Sequence, residues 1–461
     1  MKINWKYFTI VGMVAVLSSC SIISKYESPD VEVKGLFRDL PDTDTVSIAS
    51  MPWQQIFTDT ILRSLIERGL AQNLDLKVAF ARVRQTESYY RQSRVDLYPT
   101  LNADMSFTGS RLSEAQGFGI RTQMKQYNIG VNSSWEADIW GRLSSVKRSN
   151  LALLLSSEAG AKAVRSGLVA DIANLYYSLV TLDNQLEIVN RTVNNWDATV
   201  ATMKKLKDAA RVTEAAVVQS KAQKYAVEVT IPTISQQIKQ TENALSILLG
   251  NPPDSIRRAR FSELSALKSL SVGIPAQLLA NRPDVRRSEY NYRSTFELLN
   301  ASRAAFYPTL SITASAGLNS LSLEKLLNPT SIAANVMAGL TQPIFNRRAL
   351  KTNKEVAKEE QLVAYLTYKN TLLNAGREVS DALAMHAAAI QKLELRELQL
   401  VELKNSVLYT ERLLSNGFAD YLEVINARQS LLDAEIGQVD DRLQQFQSMV
   451  NLYRALGGGS N

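Results

Sequence analysis

Cysteine and histidine are almost absent, at one residue each in 461. A lone Cys excludes an intrachain disulfide, and one His beside it argues against a zinc or transition-metal cluster. Chemistry that uses His as its general base is nearly excluded, so neither a catalytic residue nor a cofactor is expected and the chain reads as a non-enzyme. Proline is sparse, with none between Pro99 and Pro232 and none after Pro343. No apolar run is long enough to cross a bilayer as a helix, which takes about 20 residues. The net charge of +7 is thinly spread and does not suggest a nucleic-acid groove. Against these absences, 45% hydrophobic and 21% charged residues argue for an ordered fold. A scaffold, a binder or a conduit remains.

Lys2 and Lys6 precede an apolar run, Phe8 to Leu17, that ends in Leu17-Ser18-Ser19-Cys20. This has the layout of a signal peptide, and the Cys after two small residues resembles a bacterial lipobox, cleaved before Cys20 with the thiol acylated. Acylation with two or more chains would hold the mature protein on a membrane outside the cytoplasm. The alternative is an ordinary buried cysteine.

The rest of the chain is one unit written twice. Ser93-Arg94-Val95-Asp96-Leu97-Tyr98-Pro99-Thr100-Leu101 returns as Ser302-Arg303-Ala304-Ala305-Phe306-Tyr307-Pro308-Thr309-Leu310, 209 residues later. Ile139-Trp140-Gly141-Arg142 returns as Ile344-Phe345-Asn346-Arg347 after 205, and Thr213–Val218 weakly echoes Asp420–Ile425 after 207. Such a period is too long for a solenoid and marks a duplicated domain. The expected organisation is a signal peptide at 1–19, an extended lipidated segment at 20–54, a first repeat at 55–253, a linker at 254–274, a second repeat at 275–456 and a tail at 457–461. Each repeat is expected to hold a helix, a β-hairpin (100–139 and 309–343) and a long helical hairpin.

Inside each repeat the apolar period switches. Leu101, Ala103, Met105 and Phe107 alternate with Asn102, Asp104, Ser106 and Thr108. Tyr127, Ile129, Val131 and Trp135 alternate with Asn128, Asn132, Ser134, Glu136 and Asp138. Leu310, Ile312, Ala314 and Leu318 stand against Ser311, Thr313 and Ser315, with a weaker run from Asn335 to Thr341. Period two predicts four strands in two hairpins, joined by loops at 109–125 and 319–331.

The remainder is helical and long. Gly141 to Asp208 as one helix would reach about 100 Å at 1.5 Å per residue, and Asn346 to Ser415 is similar. Leu175, Leu179, Leu182, Leu186, Val189, Val193, Trp196, Val200 and Met203 step alternately by four and three, as do Leu432, Ile436, Val439, Leu443, Phe446, Val450 and Tyr453. These heptad seams predict coiled-coil packing. Pro232 lies within the returning helix and predicts a local kink.

Strands with a small polar face cannot close a dry core, because each unmet polar group costs several kcal/mol there. The pattern suits a polar face on water and an apolar face on lipid. On this reading Asn102, Asp104, Asn128, Asn132, Glu136, Asp138, Ser311 and Thr313 face a barrel lumen. Tyr98, Trp135, Trp140, Tyr307 and Phe345 cluster at the strand–helix junctions as an interfacial girdle, though any one of them alone reads as ordinary packing. Four strands are too few to close, since about eight is the practical minimum. Several chains must pool them, and three copies would supply twelve.

The doubled Tyr-Pro-Thr-Leu, Asp138-Ile139-Trp140-Gly141-Arg142, Leu248-Leu249-Gly250-Asn251-Pro252-Pro253 and Ile274-Pro275-Ala276-Gln277-Leu278-Leu279-Ala280-Asn281-Arg282-Pro283-Asp284-Val285 resemble the outer membrane efflux proteins. Within these TolC-like channels the likeness is to the lipoprotein (NodT) branch that serves resistance-nodulation-division pumps, and it covers about residues 50–456. The resemblance implies a mainly α fold with a small β part. Duplicated long helical hairpins would form a coiled-coil tunnel, and four strands per chain would enter a homotrimeric, twelve-stranded transmembrane barrel. It also implies a place in the outer membrane of a Gram-negative bacterium, lipid-anchored and extending into the periplasm. The implied partners are outer-membrane lipid, a periplasmic adaptor and a resistance-nodulation-division pump, with no nucleic acid.

Function then reads as passive export of whatever the pump delivers, gated where the helical hairpins turn, near Lys207–Arg211 and Leu414–Asp420. A threefold axis repeats an inward acid as a ring. Asp420 and then Asp208 are the candidate gate residues, with Arg211 and Arg412 as candidate ion-pair partners. The family tip often reads Gly-x-Asp/Ser-x-Tyr-Leu, whereas Gly417-Phe418-Ala419-Asp420-Tyr421-Leu422 moves the acid by one, so Phe418 stands as an alternative apolar constriction. Each is also open to being a solvated tip residue. Arg282-Pro283-Asp284 reads as a helix start and His386 as a helix-packing residue. Two other functions stay open, a duct for type I protein secretion and a pore-less periplasmic coiled-coil scaffold.

Overall fold

A computed structural model describes residues 23–29, 51–111, 123–265 and 282–459. The expected signal peptide and Cys20 lie outside the described residues. The chain divides into two compact units.

One unit comprises residues 23–29, Arg82–Ser157 and Arg287–Tyr368. It carries strands β1 (Thr100–Arg111), β2 (Gln123–Ala137), β3 (Thr309–Ser320) and β4 (Ile332–Thr341). The two expected hairpins are joined into one antiparallel sheet of order β1-β2-β3-β4. Its central seam pairs Tyr127 with Ser320 at one end and Ala137 with Leu310 at the other. β1 is exposed along nearly its whole length, on both faces. Among the described residues no strand side chain belongs to a buried hydrophobic core.

Beside it stands the helix Pro283–Ala304, whose N-terminal Pro has no N–H to leave unpaired. Residues 23–29 run along this helix as an extended strap. The Asn300 amide brackets Ser24, donating to its carbonyl at 2.9 Å and accepting from its N–H at 3.3 Å. The Tyr26 ring packs against Tyr292 and Phe296 at centroid distances of 6.0 and 5.5 Å. Buried Glu297 is met by Arg148 at 2.9 Å, so its charge is not left alone in the packing.

The other unit comprises Val31–Ala81, Glu158–Arg286 and Lys369–Asn461. Among the described residues the α-helices, in chain order, are α1 (Trp53–Ile56), α2 (Thr60–Gln72), α3 (Leu74–Val95), α4 (Arg142–Asp208), α5 (Glu214–Glu228), α6 (Thr230–Leu248), α7 (Pro283–Ala304), α8 (Ala349–Asn416) and α9 (Tyr421–Ala455). α4 and α8 run for 67 and 68 residues. Along α4, Leu179, Val189, Trp196, Val200 and Met203 of the heptad seam are buried. Leu179, Val189 and Trp196 share a core with Leu432, Val439, Phe446 and Val450 of the α9 seam, and beside them Tyr177 stacks on Phe446 at 4.5 Å with the rings 7° from parallel. Each heptad step keeps the same face inward, which is what lets such long helices stay paired.

Two local differences from the sequence expectation have simple causes. Pro232 does interrupt its helix, but the break falls at Val229, between α5 and α6. A proline cannot donate to the carbonyl four residues back and its ring crowds that carbonyl, so the preceding turn gives way. α8 begins at Ala349 rather than Asn346, because Arg347 and Arg348 take φ of 55° and 67°, outside the helical region.

Candidate functional site

The sheet register sorts the side chains. On one face Phe107 stands opposite Tyr127, Met105 opposite Ile129 and Ala103 opposite Val131. Trp135 opposite Ile312 and Leu310 opposite Leu340 extend the same face across the sheet. On the other face Asn102 stands opposite Asn132 and Ser106 opposite Asn128, while Glu136 pairs with Ser311 and Ser134 with Thr313. Because side chains alternate, one register serves every apolar and every polar column at once.

The polar face is organised around Asp104. Its two carboxylate oxygens accept from the amides of Asn128 and Asn132, each at 2.9 Å. Asn102 reaches Asn132 at 3.4 Å. Glu136 forms a forked pair with Arg142, the two guanidinium nitrogens lying 3.0 and 2.8 Å from one oxygen. Ser311 donates weakly to the Gly339 carbonyl at 3.4 Å. Asp138 lies just past the strand, and its carboxylate accepts the N–H groups of Leu143 and Ser144, both at 2.8 Å. It caps α4, neutralising orphan donors at the positive end of the helix dipole.

The aromatic residues occupy two different kinds of corner. Trp140 follows β2, packs against Tyr307 with centroids 5.1 Å apart and planes tilted by 33°, and donates its indole N–H to the Pro308 carbonyl at 2.8 Å. Gly141 turns the chain here with φ of 70°, a conformation that costs glycine little. Trp135 donates to the Leu97 carbonyl at 2.9 Å. Tyr98 and Phe345, the counterparts of Tyr307 and Trp140 in the duplication, are 70% and 87% exposed.

The turns of the two helical hairpins share one geometry. After α4, the Arg211 N–H bonds the Leu206 carbonyl and the Ala210 N–H that of Lys207, with Ala210 left-handed at φ 56°. After α8, the Phe418 N–H bonds the Leu413 carbonyl and the Gly417 N–H that of Leu414, with Gly417 at φ 82°. Both are helix ends closed by a left-handed residue. Asp208 is the last residue of α4. Asp420 is the N-cap of α9 and accepts from the Leu422 N–H at 3.5 Å.

Arg211 joins the turns by donating to the Ser415 carbonyl at 3.2 Å, so its contact is with backbone rather than with a carboxylate. Arg412 takes part through its carbonyl, which accepts from Ser415 Oγ and Asn416 Nδ2 at 2.8 and 2.7 Å. Phe418 is 82% exposed. A cavity of 270 Å³ lies between the turns, lined by Arg211, Leu414, Gly417, Asp420 and Tyr421 among others. Two ion pairs here carry no sequence signal, Lys207 with Glu214 and Glu411 with Arg428, because each partner comes from across a turn.

Among the described residues no group of His, Cys, Asp and Glu could hold a metal ion. No helix among them is long and apolar enough to cross a membrane. A β-sheet with one apolar and one polar face, joined to long helical hairpins, is the architecture of a membrane channel-tunnel. Residues 65–251 and 274–458 match the model of the outer membrane efflux protein family, one block on each repeat, and the chain belongs to that family. It is 29% identical over 452 residues to the solvent efflux pump outer membrane protein SrpC of Pseudomonas putida, with 96% of each chain covered. It is 28% identical over 449 residues to the cation efflux system protein CusC of Escherichia coli K12, covering 96% of this chain and 97% of that one. Among solved structures the outer-membrane channel OprN superposes with a TM-score of 0.89 at 22% identity, covering 96% of this chain and 100% of OprN. CusC superposes with a TM-score of 0.83 at 26% identity, covering 94% and 99%. The protein is an outer-membrane channel component of an efflux system, mainly helical with a small β part. Its family is one of channel proteins rather than enzymes.

Proposed function

We propose that three copies of this chain pool their strands into a twelve-stranded barrel through the outer membrane, continued by a hollow bundle of the long helices in the periplasm. The observation that carries this is the sheet, sorted into an apolar and a polar face yet joining no hydrophobic core among the described residues. An open sheet edge cannot be satisfied in lipid, so the strands must close with others. Exposed apolar side chains on α8, such as Leu395 and Leu398 at 68% and 67%, likewise call for neighbouring helices. Asn102, Asp104, Asn128, Asn132, Glu136, Ser311 and Thr313 line the lumen, while Asp138 serves the adjoining helix start. The aromatic residues sit at the membrane boundary, and Cys20 carries the lipid anchor.

The turns after α4 and α8 form the periplasmic mouth, with Asp208, Phe418 and Asp420 at the constriction and Arg211 bracing the two hairpins. A periplasmic adaptor and a resistance-nodulation-division pump deliver the cargo, and the pump selects it. The relatives named for solvent and for cation efflux fit a duct that accepts what its pump supplies. Conductance of the purified protein in planar bilayers tests the reading. Stepwise channels are expected, more frequent with D208N and D420N together. Silence from both the wild type and this double variant would leave a pore-less scaffold.

A further inference from the structure

β1 and β4 are the outer strands of the sheet, and among the described residues each leaves one edge open. The duplication shows how the edges meet. Between the repeats, the end of β2 meets the start of β3, and that corner is held by Trp140, its ring packed at a tilt against Tyr307 and its indole N–H bonded to the Pro308 carbonyl. The offsets of 205 and 209 carry Trp140 onto Phe345 and Tyr307 onto Tyr98. Those two are exposed to 87% and 70%, against 39% for Tyr307. The same two offsets carry the β2–β3 pair Val131–Ala316 onto Val336 and Phe107, both on the apolar face. Hairpin register slips by two residues between repeats, since Thr100 faces Ser134 whereas Thr309 faces Thr341, and an even slip preserves which face meets which.

We infer that Phe345 of one copy packs against Tyr98 of the next, sealing the β4 edge of the first to the β1 edge of the second as Trp140 against Tyr307 seals β2 to β3. The inference rests on the multi-copy reading above and adds the identity of the seam. Pairing β4 with β1 keeps every strand antiparallel to its neighbours and every corner on one side of the membrane. Pairing like edges antiparallel would send the helices of alternate copies to opposite sides. The Phe345 side chain has no N–H, so this corner lacks the hydrogen bond that the Trp140 indole makes. That leaves the seam between copies weaker than the seam within one.

The test uses the full-length chain with Y98C and F345C combined, treated in membranes with a short bis-maleimide and run on denaturing gels. Covalent multimers ending at three copies are expected from the double variant and none from either single one. The pair W140C and Y307C should react within one chain and confirms the reach of the reagent. Multimers from Y98C alone would mean like edges pair, and would overturn the inference. So would an absence of crosslinks in protein that still runs as an oligomer in mild detergent, an outcome that leaves the channel reading standing. A chain that is monomeric in detergent would overturn the multi-copy reading itself. As an independent measure, F345S should lower the temperature at which the oligomer dissociates, and F345W should hold or raise it. No change with F345S would overturn the seam.

Discussion

Arg282 and Asp284 form a forked ion pair at the start of α7, Nε to Oδ1 at 3.0 Å and Nη2 to Oδ2 at 2.6 Å. The same guanidinium meets Glu378 of α8 at 2.8 Å and the Ala455 carbonyl at the end of α9 at 2.7 Å. Arg282 is only 6% exposed, so one buried cation ties three helices together. Removing it strands two carboxylates and a helix-end carbonyl. R282L is expected to cost about 3 kcal/mol, read from the denaturant midpoint, and D284N less because Glu378 remains. Burial opposes ionisation of Asp284, but Arg282 outweighs it and holds the carboxyl below its ordinary value of 3.8. A depressed carboxyl contributes stability at neutral pH that is lost as acid is added, so this contribution should fade only below about pH 4.

His386 bonds Ser448 through Nδ1 at 3.1 Å, while its buried Nε2 has no partner among the described residues. Burial pulls its proton affinity below the ordinary value of 6.5. The folded state therefore favours neutral imidazole, and the unfolded chain binds the proton first as pH falls. Stability should drop as pH falls through about 6.5, and H386N should flatten that part of the pH profile relative to wild type.

The polar sheet face predicts ion selectivity. Among the described residues Asp104 is bonded to the neutral amides of Asn128 and Asn132 and to no cation, whereas Glu136 is paired with Arg142. D104N should reduce cation preference, measured as reversal potential across a salt gradient, more than E136Q does.

At the tips, two variants of one residue separate charge from capping. D420N removes the acid but keeps a side chain able to cap α9, so it should alter channel opening with little loss of stability. D420A removes both and should cost about 1 kcal/mol as well. Equal channel records for the two would assign the effect to charge.

The corner after β2 gives a simpler check. W140F keeps a ring against Tyr307 and loses the bond to the Pro308 carbonyl. A loss of about 1 kcal/mol is expected in the thermal or denaturant midpoint.

Much of this was legible in order along the chain. The period-two runs lie within β1 to β4, the proline-free stretches contain the two longest helices, α4 and α8, and the heptad residues from Leu179 to Met203 point inward as expected. These are local patterns, set by how often a side chain returns to the same face. Arg282 was read as part of a helix start, which it is, but its bond to Ala455 was not readable because 173 residues separate them. Asp138 continued the polar alternation of β2 on paper. Only the turn at Gly141 brings the N–H groups of α4 onto its carboxylate.

What the sequence alone determined is the alphabet of elements and their duplication, because helix and strand periodicity are properties of neighbours in the chain. Tertiary structure decided which hairpins share a sheet, which corners are already sealed and which buried charges are matched. Those depend on groups far apart in sequence meeting in space, and no spacing rule encodes them. Trp140 and Phe345 show the difference plainly. They are equivalent in the repeat, yet one is packed and the other is open because only one has its partner strand in the same chain.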